Sequence, residues 1–288
     1  MKGLKIGGVP EHFNLPWRLA IEEGKFSEIG LELHWSDMTG GTGQMIKGLD
    51  IGSLDIAVLL TEGITKAILD GLPAKIIQVY VNSPLRWGVH VPVDSTVKSM
   101  SDLQNKTFAI SRYGSGSHLM ALVHANQAGW DASRLKFNVV GDIYGGLWAL
   151  ANHEADAFLW EKFTTHPFVE QGKCKCIGEI VTPWPCFVVA VRNEILENHA
   201  EIVKEMCQVV AHRAKQLKED EQASNTLSWR YYLDKEQVDS WLNETEWNYT
   251  TQFDTSSFTE VISILRNLDL ITDEGANNAL DLLFEKSN

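Results

Sequence analysis

The sequence predicts an α/β protein of two lobes, each built on a mainly parallel sheet, with a helical C-terminal region. Three observations carry that reading. Short apolar runs of strand character alternate with helical patterns from Leu4 to Val191. Polar loops, several of them glycine-bearing, follow those runs directly. Beyond Asn193 the alternation stops and only apolar stripes of helical period remain. Strand and helix in alternation call for parallel sheets, whose ligand sites lie outside the carboxyl ends of the strands. A chain of 288 residues has room for two lobes of ordinary size.

Leu4 to Val9 reads as the first strand, with Pro10-Glu11-His12-Phe13-Asn14 as the loop at its carboxyl end and a helix that stops at Gly24. Leu31 to Trp35 alternates as a second strand and leads into Thr39-Gly40-Gly41-Thr42-Gly43 and a helix with Met45, Ile46 and Leu49. Asp55 to Leu60 is a third strand, ending in Thr61-Glu62-Gly63 and another helix. Ala74 to Val81 is nearly continuous in apolar residues, as for a strand buried on both faces. Asn82-Ser83-Pro84 breaks the pattern and Trp87 to Val91 resumes it as an extended segment, which places a first crossing between lobes near 82–90. Lys106 to Ile110 is the strand before Ser111-Arg112-Tyr113-Gly114-Ser115-Gly116-Ser117-His118, and the following Leu119, Met120, Leu122 and Val123 share a helix face. Leu135–Val140 and Asp156–Trp160 are further strands, the latter ending at Glu161. Thr182-Pro183-Trp184-Pro185 punctuates before the apolar run from Cys186 to Val191, read as the return crossing. The resulting division is 1–85 with 190–288 for one lobe and 86–189 for the other.

Composition narrows the function classes. A net charge of −13 opposes a nucleic-acid backbone or an anionic membrane as main partner. A small anion stays admissible, because surface charge is screened over roughly 8 Å while helix dipoles and basic groups act at contact distance. No segment approaches 18 uninterrupted apolar residues, so no membrane insertion is expected, and the first residues show no apolar run of the secretory-leader kind. The chain as it stands therefore reads as cytoplasmic, or as periplasmic if a leader has been removed. Cys174-x-Cys176 lacks His or Cys partners at zinc spacing and reads as a strand with small residues, so neither a metal nor a cofactor is expected.

The loop Ser111–His118 is the strongest candidate for ligand contact. Ser115 or Ser117 suits the helix cap, and the amides of Ser115, Gly116, Ser117 and His118 with the Ser115, Ser117 and Thr42 hydroxyls suit a carboxylate, sulfonate or phosphate, with Ser111 opening the loop. The same residues equally describe a capped helix after a flexible turn. Arg112 is either a bidentate clamp for that anion or a surface arginine beside Tyr113. His12 and His118 are either donors that change near neutral pH or ordinary histidines. Glu62 and Glu161 end apolar strands, where a carboxylate is costly unless satisfied. Each either meets an amine or amidine-like ligand group or caps a helix. Trp87, Tyr144, Trp160 and Trp184 offer rings for stacking, with core packing as the alternative.

Val9-Pro10-Glu11-His12, Gly41-Thr42-Gly43 and Leu60-Thr61-Glu62-Gly63 resemble the two-lobed periplasmic-binding-protein fold of the second topological type. Within it the chain is similar to the branch of sulfonate, nitrate and thiamine-pyrimidine binding proteins, which includes the yeast thiamine-pyrimidine synthase, and most of all to a leaderless fungal and bacterial subgroup of unassigned ligand. The resemblance covers nearly the whole chain. It implies hinge-closing capture of a ligand between the lobes, with Glu11–Asn14 (His12 and Asn14 within it), Thr39–Gly43, Thr61 with Glu62, and Ser111–His118 as walls. Importers of the family deliver ligand to a membrane transporter, a role that calls for a leader or lipid-attachment cysteine not seen here. The synthase's cysteine-rich iron-binding run has no counterpart.

Two function classes follow. One is a non-catalytic solute-binding protein for a small polar metabolite, such as an aminated heterocycle or an organic anion. The other is an enzyme of thiamine-pyrimidine or related cofactor biosynthesis, with His12 or His118 and Glu62 or Glu161 as acid and base.

Overall fold

The computed structural model describes residues 2–284. The chain divides into two compact units, Met1–Ser83 with Pro183–Asn288, and Pro84–Thr182. Each holds one five-stranded sheet, and the two sheets share one strand order.

In the first unit β1 (Lys2–Gly8), β2 (Leu31–Asp37), β3 (Ile56–Leu60) and β4 (Ala74–Val81) alternate with helices Leu15–Glu22, Gly41–Asp50 and Thr61–Leu69. In the second, β5 (Arg86–Val91) is followed by β6 (Thr107–Ile110), β7 (Lys136–Val139), β8 (Ala157–Glu161) and β9 (Lys175–Val181), with helices Gly116–Gln127, Ile143–Ala151 and Lys162–Glu170 between them. β10 (Phe187–Arg192) returns to the first unit. The sheet orders are β2-β1-β3-β10-β4 and β7-β6-β8-β5-β9.

The sheets are mixed rather than mainly parallel. β1 runs parallel to β2 and β3, and β6 to β7 and β8, but β10 is antiparallel to β3 and β4, and β5 to β8 and β9. In each unit the reversed strand lies beside a crossing of the chain, so it enters from the opposite end. An apolar run carries no record of its direction. The same pairing corrects the expected return crossing: the chain re-enters the first unit at Pro183, and Phe187–Arg192 is an inner strand of that unit's sheet.

Burial follows position. β2, at an edge, alternates between buried and exposed residues, whereas Ile56–Leu59 of β3 and Phe187–Val191 of β10 are buried throughout. β4 is also an edge strand, yet nearly all buried, because the C-terminal region covers it. Val81 bridges Trp247, the Asn248 amide donates to the Tyr80 carbonyl at 2.9 Å, and Gln78 Nε2 donates to the Thr250 carbonyl at 3.1 Å. That region is helical as expected: Asn193–Glu219, kinked at His199, then Ala223–Tyr231, Lys235–Glu244, Phe258–Asn267, Asp273–Asn277 and Ala279–Leu283.

Candidate functional site

The first unit sets three consecutive loops at the carboxyl ends of β1, β2 and β3. After β1, His12–Asn14 forms a single turn of 3-10 helix. His12 is buried, with its ring 4.2 Å from that of Trp241, 4.9 Å from Phe13 and 6.2 Å from Tyr231. Burial pulls its pKa down to about 3, so it is neutral at physiological pH and does not titrate there. The expected near-neutral switch is therefore absent at His12: an aromatic box has no counter-charge for an imidazolium. The turn is fixed through the Phe13 carbonyl, which accepts from Tyr80 Oη at 2.7 Å and Trp247 Nε1 at 3.1 Å. Asn14 is buried and its Nδ2 donates to the Val9 carbonyl at 2.8 Å.

After β2, Thr39 is exposed and Gly41 takes a left-handed φ of 65° at the start of its helix. Gly43 lies in the first turn, half-buried. Thr42 is buried; its Oγ1 accepts the Leu60 amide at 3.4 Å, and its methyl stands 2.5 Å from where a Cβ on Gly63 would be. Gly63 thus lets the helices after β2 and β3 close on each other.

After β3, Thr61 and Glu62 open a helix whose cap position is Leu60, a residue with no side-chain acceptor. The Thr61 amide donates to the Cys186 carbonyl at 3.1 Å, and its hydroxyl donates to the Pro185 carbonyl. Glu62 Oε2 accepts from Trp184 Nε1 at 2.9 Å, which ties the re-entry segment to the end of β3. Glu62 Oε1 is buried without a hydrogen-bond partner, as are Asn14 Oδ1 and His12 Nε2. Desolvation pushes the Glu62 carboxyl up to about 7, against the pull of the Trp184 N–H and its own backbone N–H. Buried polar atoms are nearly always paired, so three orphans on the loops after two strands mark this end of the sheet as unusual.

The second unit repeats the arrangement with the opposite outcome. Ser115 is the cap of Gly116–Gln127. Its Oγ receives the His118 amide at 3.4 Å, donates to the Arg112 carbonyl at 2.7 Å and lies 3.0 Å from Ser117 Oγ, which accepts the Ser111 amide at 3.0 Å. The Gly114 amide donates to His118 Nδ1 at 3.1 Å, which leaves the ring proton on Nε2. Burial lowers the pKa of His118, whose ring packs 4.7 Å from Phe137 and 5.3 Å from Tyr113. Arg112 is half-buried, and desolvation lowers its pKa as well.

Glu161 takes the capping alternative. Its Oε1 accepts the Phe163 amide at 3.1 Å, and its Oε2 accepts the Thr164 amide at 2.6 Å and hydroxyl at 2.7 Å. Burial still leaves its pKa raised. Trp87, buried, pairs in register with Glu161 across β5 and β8, and its Nε1 has no partner. Trp160 packs on Phe158 at 5.4 Å. Tyr144 stands apart: it is 69% exposed on the helix Ile143–Ala151, edge-on to Phe168. Cys174 is buried in an apolar cluster with Leu150 and Phe158.

The structure thus knits Ser111, Ser115, Ser117 and His118 into one loop and joins Glu62 to Trp184. Thr39 and Tyr144 are exposed. The C-terminal Trp241 and Trp247, which fix the His12 turn, escape sequence reasoning because they lie more than two hundred residues away. Among the described residues, no group of three or more His, Cys, Asp or Glu side chains is placed to hold a metal ion, and no helix is long and apolar enough to cross a membrane.

With this geometry in place, comparison with solved structures is decisive for the fold. The structure of the Candida albicans CA3427 gene product, described as defining a new family with the generic periplasmic-binding-protein fold, superposes over 100% of this chain and 97% of that one, with a TM-score of 0.91 and 25% identity. Residues 87–180 match the family model described as Ca3427-like PBP. The chain has the periplasmic-binding-protein fold, and it is similar to the Ca3427-like proteins over residues 87–180. The alkanesulfonate-binding protein SsuA of Xanthomonas axonopodis pv. citri, bound to MOPS, shares the fold at a TM-score of 0.80 and 14% identity, over 99% of this chain and 98% of that one. PhnD1 of Prochlorococcus marinus, in complex with methylphosphonate, does so at 0.67 and 14%, over 94% and 99%. No curated protein matches the sequence significantly.

Proposed function

We propose that this protein is a solute-binding protein that captures a small polar metabolite by closure of its two lobes. The observation that carries the reading is Glu62: a buried carboxyl with one oxygen on Trp184 Nε1 and the other without a partner. A ligand amine or amidine would supply the missing donor and a positive charge, and so offset a desolvation that the protein alone leaves uncompensated. Ser111, Arg112, Ser115 and Ser117 with the amides of Gly116 and His118 are the proposed contacts for an acidic group. Relatives of the fold whose ligands are a sulfonate buffer and a methylphosphonate support an anionic group on the ligand. An aminated heterocycle with an acid substituent combines both requirements. Delivery to an ABC importer remains a proposal of the same kind.

A catalytic reading rests on the same buried, half-bonded carboxyl, since desolvation pushes Glu62 up to about 7, a range that suits a general acid or base. It would place the protein in thiamine-pyrimidine or related cofactor biosynthesis.

The test is a thermal-shift panel of organic acids, sulfonates, phosphates, aminopyrimidines and thiamine precursors. A ligand at about a hundred times its dissociation constant stabilises by roughly 2.7 kcal/mol. A hit should also shrink the radius of gyration in small-angle scattering and lose affinity in Glu62→Gln. Recovery of the ligand unchanged supports the binder; a converted product, with affinity intact in Glu62→Gln and turnover lost, supports the enzyme. A hit indifferent to Glu62→Gln overturns the role given to that residue.

A further inference from the structure

The second unit carries a groove at the end of its sheet away from the Ser111 loop and Glu161. β5 runs antiparallel to β8 and β9, so the residues after β5 and the turns before β8 and β9 all meet at the amino end of β8. There they border an open groove of about 500 Å³, within the volume range of small-molecule sites. Val93, Leu147 and Trp148 form its apolar walls.

One feature of this groove is unexplained by folding. The helix Ile143–Ala151, of sequence IYGGLWALA, has no charged residue, and its solvent side exposes Tyr144 by 69% and Trp148 by 58% at a spacing of four. A helix that stays apolar where it meets water marks an interaction surface. At its end His153 takes a left-handed φ of 56° in the turn that terminates the helix, where its amide donates to the Leu150 carbonyl at 3.2 Å and the Glu154 amide to the Ala149 carbonyl at 2.8 Å. That turn sets its Nε2 3.4 Å from Asp94 Oδ2, on the groove wall. The wall's carboxylate, Asp94, is exposed and pairs with His153 only when that imidazole is protonated. The wall's lysine, Lys173, makes no ion pair among the described residues and lies 5.3 Å from the Phe168 ring centroid.

We infer that this groove is a second ligand site, separate from the one proposed above, for a planar aromatic anion. The ring stacks on Trp148 against Val93 and Leu147, and the anionic group meets Lys173. The binding is non-covalent and needs no movement of the Ser111 loop.

The test uses the intact chain with 2-naphthoate as probe and 2-naphthylmethylammonium as its charge-reversed control, read by shifts of the tryptophan indole N–H signals in NMR. Trp148→Phe assigns the Trp148 signal. The expected result is saturable naphthoate binding that moves this signal, weakened about tenfold in Trp148→Ala and severalfold in Lys173→Glu, with the cationic probe inert or favoured only in Lys173→Glu. Val93→Asp gives a third, independent block of the groove. Both Trp148 and Lys173 are solvent-facing, so unchanged circular dichroism is expected in their variants. No binding, equal binding of both probes, or naphthoate binding indifferent to Trp148→Ala and Lys173→Glu overturns the inference. Glu62→Gln leaves the groove's affinity unchanged, so failure here and failure of the proposed function are separately visible.

Discussion

Leu60 and Glu161 occupy the same place in two sheets of the same strand order. Each is the last residue of the strand flanked by a reversed neighbour, in register with Phe187 or Trp87, and each is the cap position of the next helix. In the second unit the glutamate is at the cap, where its oxygens reach the free amides of the first turn and collect three donors. In the first unit leucine holds the cap and the glutamate comes two residues later, at the second helical position, where it meets only the Trp184 indole and its own amide. A displacement of two residues along the chain separates a carboxylate that caps a helix from one whose second oxygen is buried without a partner.

The largest expected effect tests the incompletely bonded carboxyl of Glu62. With a pKa near 7 in the folded chain against an ordinary 4.5, native Glu62 holds its proton over a range where the unfolded chain has lost it. Stability contributed by this group therefore falls as pH rises from about 4.5 to 7, by roughly 3 kcal/mol, and is flat beyond. Glu62→Gln should remove that slope, raising the midpoint of unfolding at pH 8 by several degrees while changing little at pH 4.5. His12 and His90 act in the other direction. Their pKa values are depressed to about 3 and about 4, so their contribution is lost as pH falls below about 6.5. Midpoints of wild type and Glu62→Gln measured from pH 4 to 9 check this; parallel curves would mean that Glu62 finds a partner in the folded chain.

The counterpart at the second unit is Glu161→Ala. It strips two buried or part-buried amides and one hydroxyl of their acceptor, and should cost about 2 kcal/mol at pH 7. Urea unfolding of the variant reads the loss directly. If Glu161→Ala were neutral while Glu62→Ala cost several kcal/mol, the assignment of roles would be reversed.

What the sequence disclosed divides along the same line. Strand order in space was not legible, because the reversed strands β5 and β10 look like any other apolar run. The places of the loops were, since glycine, serine and threonine after an apolar strand announce a helix start regardless of direction. Ser115 was readable as a cap from Ser115-Gly116-Ser117 after Ile110. Glu62 and Glu161 were both visible as costly carboxylates, but deciding between ligand partner and cap needs the helix start to within one residue, finer than sequence patterns resolve. The groove beside Trp148 joins segments some eighty residues apart and leaves no local mark beyond a helix without charges.

The smallest effects compare the hydroxyls of the two units. Ser115 Oγ holds a carbonyl, a neighbouring hydroxyl and a helix amide together, and Ser115→Ala should cost about 1 kcal/mol and loosen the Ser111–His118 loop. Thr42 Oγ1 accepts a single amide at 3.4 Å, near the limit of a hydrogen bond, while its methyl fills the space above Gly63. Thr42→Val keeps that shape and should cost only about 0.5 kcal/mol. Amide exchange separates the two: Ser115→Ala should raise exchange at Ser111 and His118, and Thr42→Val at Leu60 alone. A larger loss in Thr42→Val than in Ser115→Ala would show that the first unit's loops are as tightly bonded as the second's. The unsatisfied oxygen on Glu62 would then be an isolated defect in a wired site, rather than one sign of a loop cluster left open for a ligand to complete.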